Sequence, residues 1–218
     1  MGVSLETIVL WAVPVVFAIT LHEAAHGYVA KLFGDRTAEM LGRISLNPLK
    51  HIDPIGTLLV PGVLLTLAWI NKSPPFVFGW AKPVPVNFGN LRDPKRDMIW
   101  VAAAGPGSNF LQGLLWALLM VAAAPSGAWP SAGLFEMADI GFKVNLILMA
   151  LNLLPLPPLD GGRVLAGLLP QRGADALARV EPYGLFIILA LLATGVLDAL
   201  MRPLVYGAAT LIAHIIGL

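Results

Sequence analysis

The stretch Leu5-Glu-Thr-Ile-Val-Leu-Trp-Ala-Val-Pro-Val-Val-Phe-Ala-Ile-Thr-Leu-His-Glu-Ala-Ala-His-Gly-Tyr-Val-Ala-Lys-Leu-Phe33 decides the fold class. A long apolar run is interrupted near its end by one polar cluster, His22, Glu23 and His26. A helix rising about 1.5 Å per residue needs about 20 residues to cross a hydrocarbon core of roughly 30 Å, so this run can cross and emerge. It opens without a basic segment and no small-residue cleavage pattern follows, so it reads as a retained helix ending near Gly34-Asp35. The rest of the 218 residues agrees. Hydrophobic residues make up 57% and charged residues 12%, against roughly 25% charged in an average soluble domain. Mean hydropathy is +0.79. So little charge cannot cover a water-soluble surface, and so much apolar content excludes disorder. The net charge of +1 excludes a basic field for nucleic acid. With no cysteine, disulfides, thiolate metal sites and thiol catalysis are excluded.

Working outward, 36–53 is mixed in polarity, and Glu39–Leu46 alternates well enough to be a short strand. Ile55–Ile70 is apolar, but Pro61-Gly62 near its middle favours a turn, leaving a re-entrant hairpin and a span equally open. Pro74–Pro94 is rich in proline, glycine and aromatics, and its Lys82-Pro83-Val84-Pro85-Val86 is stiffened into extension. Phe78 and Trp80 suit an interfacial aromatic belt. Spans are expected at about 98–124, 134–154, 182–197 and 203–218. The expected fold is an all-α polytopic membrane bundle of about five to six transmembrane segments, with a short membrane-associated β region. It is a single domain over 1–218, with a catalytic core at about 5–165 and C-terminal spans at about 180–218. If 55–70 dips and returns, 12 of the 14 Lys and Arg residues fall on one side, with Lys143 and Arg202 opposite. The positive-inside rule makes that side cytoplasmic.

His22 and His26 stand four residues apart, on one helical face, where both imidazoles can reach one zinc ion. Glu23 then lies beside the water that the metal activates, placed to take its proton during attack on a carbonyl. Three ionisable groups in a spanning helix are costly unless they do something. A catalytic zinc keeps three protein ligands and one open position. Candidates for the third ligand are Asp160, Asp53, His51, Asp139 and the remaining carboxylates. Asp160 stands out because it ends a proline-broken run after a span, and non-helical backbone at membrane depth is tolerated only around a protein-lined cavity. His51 and Asp53 have turn and capping roles open to them as well, and the solitary His214 reads as a boundary or packing residue.

Four stretches together resemble the site-2 protease family of intramembrane zinc metalloproteases: His22-Glu-Ala-Ala-His26, Asn47-Pro-Leu-Lys-His-Ile-Asp-Pro-Ile-Gly-Thr57, Ala104-Gly-Pro-Gly-Ser-Asn109 and Asn152-Leu-Leu-Pro-Leu-Pro-Pro-Leu-Asp-Gly-Gly162. Phe78-Gly-Trp-Ala-Lys-Pro-Val-Pro-Val-Asn87 is similar to the compact bacterial branch. The resemblance implies zinc held by His22, His26 and Asp160, with Glu23 as general base and proton donor. It implies Asn152 and, through the Gly-x-x-x-Asn element, Asn109 as groups holding the substrate. The implied reaction is hydrolysis of a peptide bond within or near a transmembrane segment of another membrane protein. The implied place is a bacterial cytoplasmic membrane, with the active site toward the cytoplasm. PDZ and cystathionine-synthase-type modules, found elsewhere in the family, have no counterpart here. Because a helical substrate hides its peptide bonds, a strand edge at Glu39–Leu46 and Lys82–Val86 is expected to open it by strand addition. The competing reading is a membrane metal-ion transporter with His22, His26 and Asp160 as a transit site, which would not need Glu23.

Overall fold

The structure is a computed structural model and describes residues 5–71 and 81–218. Helix α1 (Leu5–Leu32) carries the apolar run and ends before Gly34, whose φ of +112° lets the chain leave the helix. Asp35 then organises the exit. Its buried carboxylate accepts from the Thr37 N–H (3.0 Å) and hydroxyl, from the Asn87 N–H (2.7 Å) and from Asn90 Nδ2 (3.1 Å). Burial opposes the charged form, but these donors outweigh it and hold Asp35 below the ordinary carboxylate range.

Those Thr37 contacts start a helical turn, α2 (Thr37–Met40), and Gly42 follows at φ +62°. The strand expected at Glu39–Leu46 is therefore the end of α2 followed by turns, and no strand occurs among the described residues. Lys82–Val86 has no regular secondary structure and forms no ladder, because Pro83 and Pro85 lack N–H groups and the Lys82 N–H donates to the His51 carbonyl (2.9 Å). Among the described residues, neither segment expected to form the β region is a strand. Phe78 and Trp80 lie outside the described residues.

The hairpin turn at Pro61-Gly62 is also absent. Asp53 caps the N–H groups of Ile55 and Gly56 (3.0 and 2.7 Å), and a π-helical stretch, Pro54–Leu59, runs unbroken into α3 (Val60–Asn71). The Thr66 hydroxyl donates to the Gly62 carbonyl (2.7 Å). The chain is nevertheless back at its point of departure by Lys82, whose N–H meets His51.

Helix α4 (Pro94–Ala123) starts with Pro94 at its first position. The Asp93 carboxylate accepts from the Arg96 N–H, and Asp97 accepts in return from the Asp93 N–H. Helix α5 (Ala132–Leu153) is capped by Ser131. His22 meets Asn109 and His26 meets Val101, so α1 and α4 run antiparallel. Asn109 meets Asn145, and Trp116 packs on Gly141, so α4 and α5 do too. Glycine permits this spacing: a Cβ at Gly141 would lie 2.7 Å from Trp116 Cγ. Three shorter helices follow: α6 (Asp160–Leu168), α7 (Gln171–Ala178) and α8 (Gly184–Ala193). Gly195, at φ +74°, separates these from α9 (Val196–Ile216). The break before the last span thus falls at Gly195, ahead of the gap at about 198–202 expected from sequence, and Arg202 pairs with Asp198 within α9 (2.5 Å).

Among the described residues, four stretches are long and apolar enough to cross a membrane: Glu6–Leu32, Pro94–Ala123, Gln171–Ala193 and Val196–Ile216. Helix α5 matches them in length, but its first twelve residues carry Glu136, Asp139 and Lys143, the last two paired at 2.6 Å. Polar groups lie inside and apolar groups outside. Thr20, Asn109, Gln112 and Asn145 are buried, while Trp11, Phe17, Leu115, Phe186 and Tyr206 are exposed. With lipid as the solvent this inversion is the stable arrangement, and the chain is an integral membrane protein.

Candidate active site

His22 and His26 lie ten and six residues before the end of α1, so they sit about 15 and 9 Å below that end of the bundle. The same end gathers the start of α4, the end of α5 and the start of α6. Arg92 staples it, donating through its side chain to Leu32 O (2.9 Å) and through its N–H to Phe33 O (3.1 Å). Asp160 arrives by a tight reversal. After α5 ends, Leu154–Leu159 doubles the chain back, and Gly161 and Gly162 pack on it without room for side chains. A Cβ on Gly161 would lie 2.5 Å from the Leu153 carbonyl carbon, and one on Gly162 would lie 2.5 Å from Pro157 N. Glycine at both positions drops Asp160 against α1.

Three atoms converge. His22 Nε2 and His26 Nε2 are 3.1 Å apart, and Asp160 Oδ2 lies 3.2 and 3.3 Å from them. All three residues are buried. The far side of each imidazole fixes its proton. His26 Nδ1 sits 2.7 Å from the Val101 carbonyl, which can only accept, so Nδ1 donates and Nε2 is a bare lone pair. His22 Nδ1 sits 2.6 Å from Asn109 Oδ1. Asn109 Nδ2 is turned toward the Ala18 carbonyl (3.2 Å) and Asn145 Oδ1 (2.9 Å), so Oδ1 is the end that faces His22. His22 Nε2 is bare as well. Asp160 Oδ2 is buried with no hydrogen-bond donor.

Three lone-pair atoms facing one another in a buried site repel unless a cation lies between them. Ligands at about 2.0–2.1 Å in a tetrahedron stand about 3.3–3.4 Å apart, so this triangle fits one face of a zinc tetrahedron. Among the described residues this is the cluster able to hold a metal. The other third-ligand candidates are engaged elsewhere: His51 Nε2 donates to Ser45 O (2.9 Å), Asp53 caps a helix, and Asp139 pairs with Lys143. His214 is exposed on α9. Gly105 on α4 lies directly over the triangle, where a Cβ would sit 2.6 Å from His22 Nε2 and closer still to His26 Nε2. Glycine there keeps open the space an ion needs.

The triad opens on a cleft of about 340 Å³ that Glu23, Val84, Ala102, Asn152 and Arg163 also line. Glu23 Oε2 accepts from the Val84 N–H at 2.7 Å, while Oε1 has no hydrogen-bond partner among the described residues. The segment supplying that N–H is itself held, because the Arg43 guanidinium donates to Lys82 O (2.9 Å) and Pro83 O (3.3 Å). Asn152 is half-buried on α5, its Nδ2 donating to Leu148 O (3.0 Å). Asn109, expected to hold substrate, lies elsewhere: it is fully buried behind His22, with both ends of its amide engaged.

Asn145 was absent from the sequence reading, where Arg43 and Val84 entered only within the segments expected to form a strand edge. A polar residue amid apolar neighbours in a span is a signal that points to Asn145. A backbone N–H such as Val84's leaves no trace in side-chain chemistry.

Comparison with known proteins gives a consistent picture. Residues 117–195, which include Asn152 and Asp160, match the family model described as "Peptidase family M50". The chain is 37% identical over 196 residues to "Putative zinc metalloprotease YwhC" of Bacillus subtilis (strain 168), covering 88% of this chain and 84% of that one. It is 30% identical over 207 residues to "Putative zinc metalloprotease Rip2" of Mycolicibacterium smegmatis, covering 94% and 73% respectively. A 65-residue stretch is 37% identical to "Putative zinc metalloprotease MJ0611" of Methanocaldococcus jannaschii. No solved structure matches the chain.

Proposed function

Because the chain belongs to peptidase family M50, the site-2 protease family of zinc metalloproteases, we propose that it hydrolyses a peptide bond within or near a transmembrane segment of another membrane protein. In this reading His22, His26 and Asp160 hold zinc and Glu23 moves the proton. The observation that carries it is the convergence of three bare ligand atoms, 3.1–3.3 Å apart, on a cleft that Glu23 also lines. Zinc held there supplies Lewis acidity and lowers the pKa of a water to roughly 7.

The chain's own groups do the rest. The Val84 N–H engages one oxygen of Glu23 and leaves Oε1 to take a proton from water and later to deliver it to the leaving amine. Asn152, at the cleft wall, holds the substrate carbonyl. The N–H groups of Lys82 and Val84 are committed, and Pro83 and Pro85 have none, so the segment from Lys82 to Val86 offers an unwound substrate mainly carbonyl acceptors. Asn109 serves the metal side, through His22. The site faces the basic, cytoplasmic end of the bundle, at a depth of about 9–15 Å where a substrate span would have to unwind.

A transporter reading is disfavoured by the relatives' names and by a carboxylate held beside, and outside, the ligand triangle. The test is metal analysis combined with cleavage of a panel of single-span membrane substrates. Glu23→Gln is expected to keep stoichiometric zinc and to lose about 10²–10⁴-fold in cleavage rate. Wild-type cleavage by Glu23→Gln, or active wild-type protein without zinc, would overturn the reading.

A further inference from the structure

An amide can present either end to its neighbour, and the two ends have opposite consequences for His22. With Asn109 Oδ1 toward Nδ1, the imidazole proton stays on Nδ1 and Nε2 is free to ligate. With the amide reversed, its NH₂ would meet Nδ1 and drive the proton onto Nε2, the atom that faces His26 and Asp160. Asn109 itself cannot settle the choice. Its other end faces the Ala18 carbonyl at 3.2 Å and, more closely, Asn145 Oδ1 at 2.9 Å. Asn145 is oriented in turn by its own helix: its Nδ2 donates to the Gly141 carbonyl one turn earlier at 2.9 Å, which forces Oδ1 toward Asn109. Both asparagines are fully buried. The result is a one-directional hydrogen-bond chain across three helices, from Gly141 on α5 through Asn145 and Asn109 to His22 on α1. Its direction is anchored in backbone carbonyls that cannot reverse.

We propose that Asn145 is a positioning residue for the metal site: together with the Ala18 carbonyl it fixes the amide of Asn109, and so the tautomer of His22. This rests on the metal-site reading above and adds to it a residue that touches neither metal nor substrate.

The experiment compares Asn145→Asp, which keeps an acceptor for Asn109, with Asn145→Leu, which fills similar volume without one. Two quantities are read on purified protein in detergent. The first is zinc affinity by chelator competition. The second is the tautomer of His22 in zinc-free protein, from proton–nitrogen correlation spectra of histidine-labelled material, with the His22 signals identified by their loss in His22→Ala. Asn145→Leu is expected to weaken zinc about tenfold, at the lower end for residues supporting a ligand, and to populate the Nε2-protonated form of His22. Asn145→Asp is expected to stay closer to wild type in both. A merely structural role would lower thermal stability in the two variants without moving the tautomer. Wild-type zinc affinity and a single Nδ1-protonated His22 in Asn145→Leu would overturn the proposal. Should His22→Ala bind zinc as tightly as wild type, it is the metal-site reading that fails.

Discussion

Replacing Gly105 by alanine adds one methyl group at the most sensitive point of the molecule. The new carbon would lie 2.5 Å from His22 Cε1 and 2.6 Å from His22 Nε2, and closer to His26 Nε2. Carbon and nitrogen in ordinary contact stand about 3.5 Å apart, so something must retreat by about 1 Å. Helix α4 cannot retreat freely, because Val101 O and Asn109 Oδ1 grip the two imidazoles at 2.7 and 2.6 Å. The imidazoles therefore rotate away, or the helix moves and releases them. Either outcome opens a triangle whose sides, 3.1–3.3 Å, now lie close to the edges of a zinc tetrahedron. The methyl also occupies the space an ion about 2.0 Å from each nitrogen would fill. Strain of about 1–3 kcal/mol is expected for the overpacking, with zinc affinity falling by more than about 100-fold. Gly107→Ala is the control. It lies on the same helix with nothing within 4 Å of its Cβ, and it should keep zinc and gain slightly in helix stability. The assay is elemental zinc content plus chelator competition on both variants. Stoichiometric zinc at wild-type affinity in Gly105→Ala would refute the placement of α4 over the ligands.

Two further outcomes follow from the support around the site. Arg43→Met removes the donors that hold Lys82 O and Pro83 O while keeping an apolar stem. The Val84 N–H should then drift from Glu23, lowering kcat about tenfold with zinc content unchanged, and an unchanged kcat would break that link. Asp35→Asn turns an acceptor of four hydrogen bonds into a group that must aim NH₂ at a donor, costing about 2 kcal/mol near neutral pH. Since Asp35 titrates below its ordinary 3.8 when folded, the stability it adds is fully present above that pH and is lost as pH falls through the depressed value. Thermal unfolding midpoints of the two proteins should therefore differ above about pH 5 and converge in stronger acid. A gap that widens on acidification contradicts the assignment.

Residue order alone settled whatever depends on composition or on the period of one helix. Scarce charge dictated lipid as the solvent, and the four-residue spacing of His22 and His26 placed both imidazoles on one face of α1. The Asp-Gly-Gly resemblance pointed to Asp160, whose Oδ2 lies 3.2 and 3.3 Å from the two imidazoles. Local periodicity misled where a cap or a bound segment outweighed it. Asp35 turned a plausible strand into α2, and Asp53 with a π turn carried a helix through Pro61-Gly62.

Tertiary structure alone decided which nitrogen of each histidine carries the proton. That choice lies with Val101 and Asn109, 75 and 87 residues away. It likewise decided that Asn109 faces His22 and that Gly105 overlies the ligands. Spacing along a helix fixes which side chains share a face. How far that helix is rotated and shifted against its neighbours is set by the sum of many packing contacts, and the distant hydrogen bonds that select a tautomer exist only once that register is fixed.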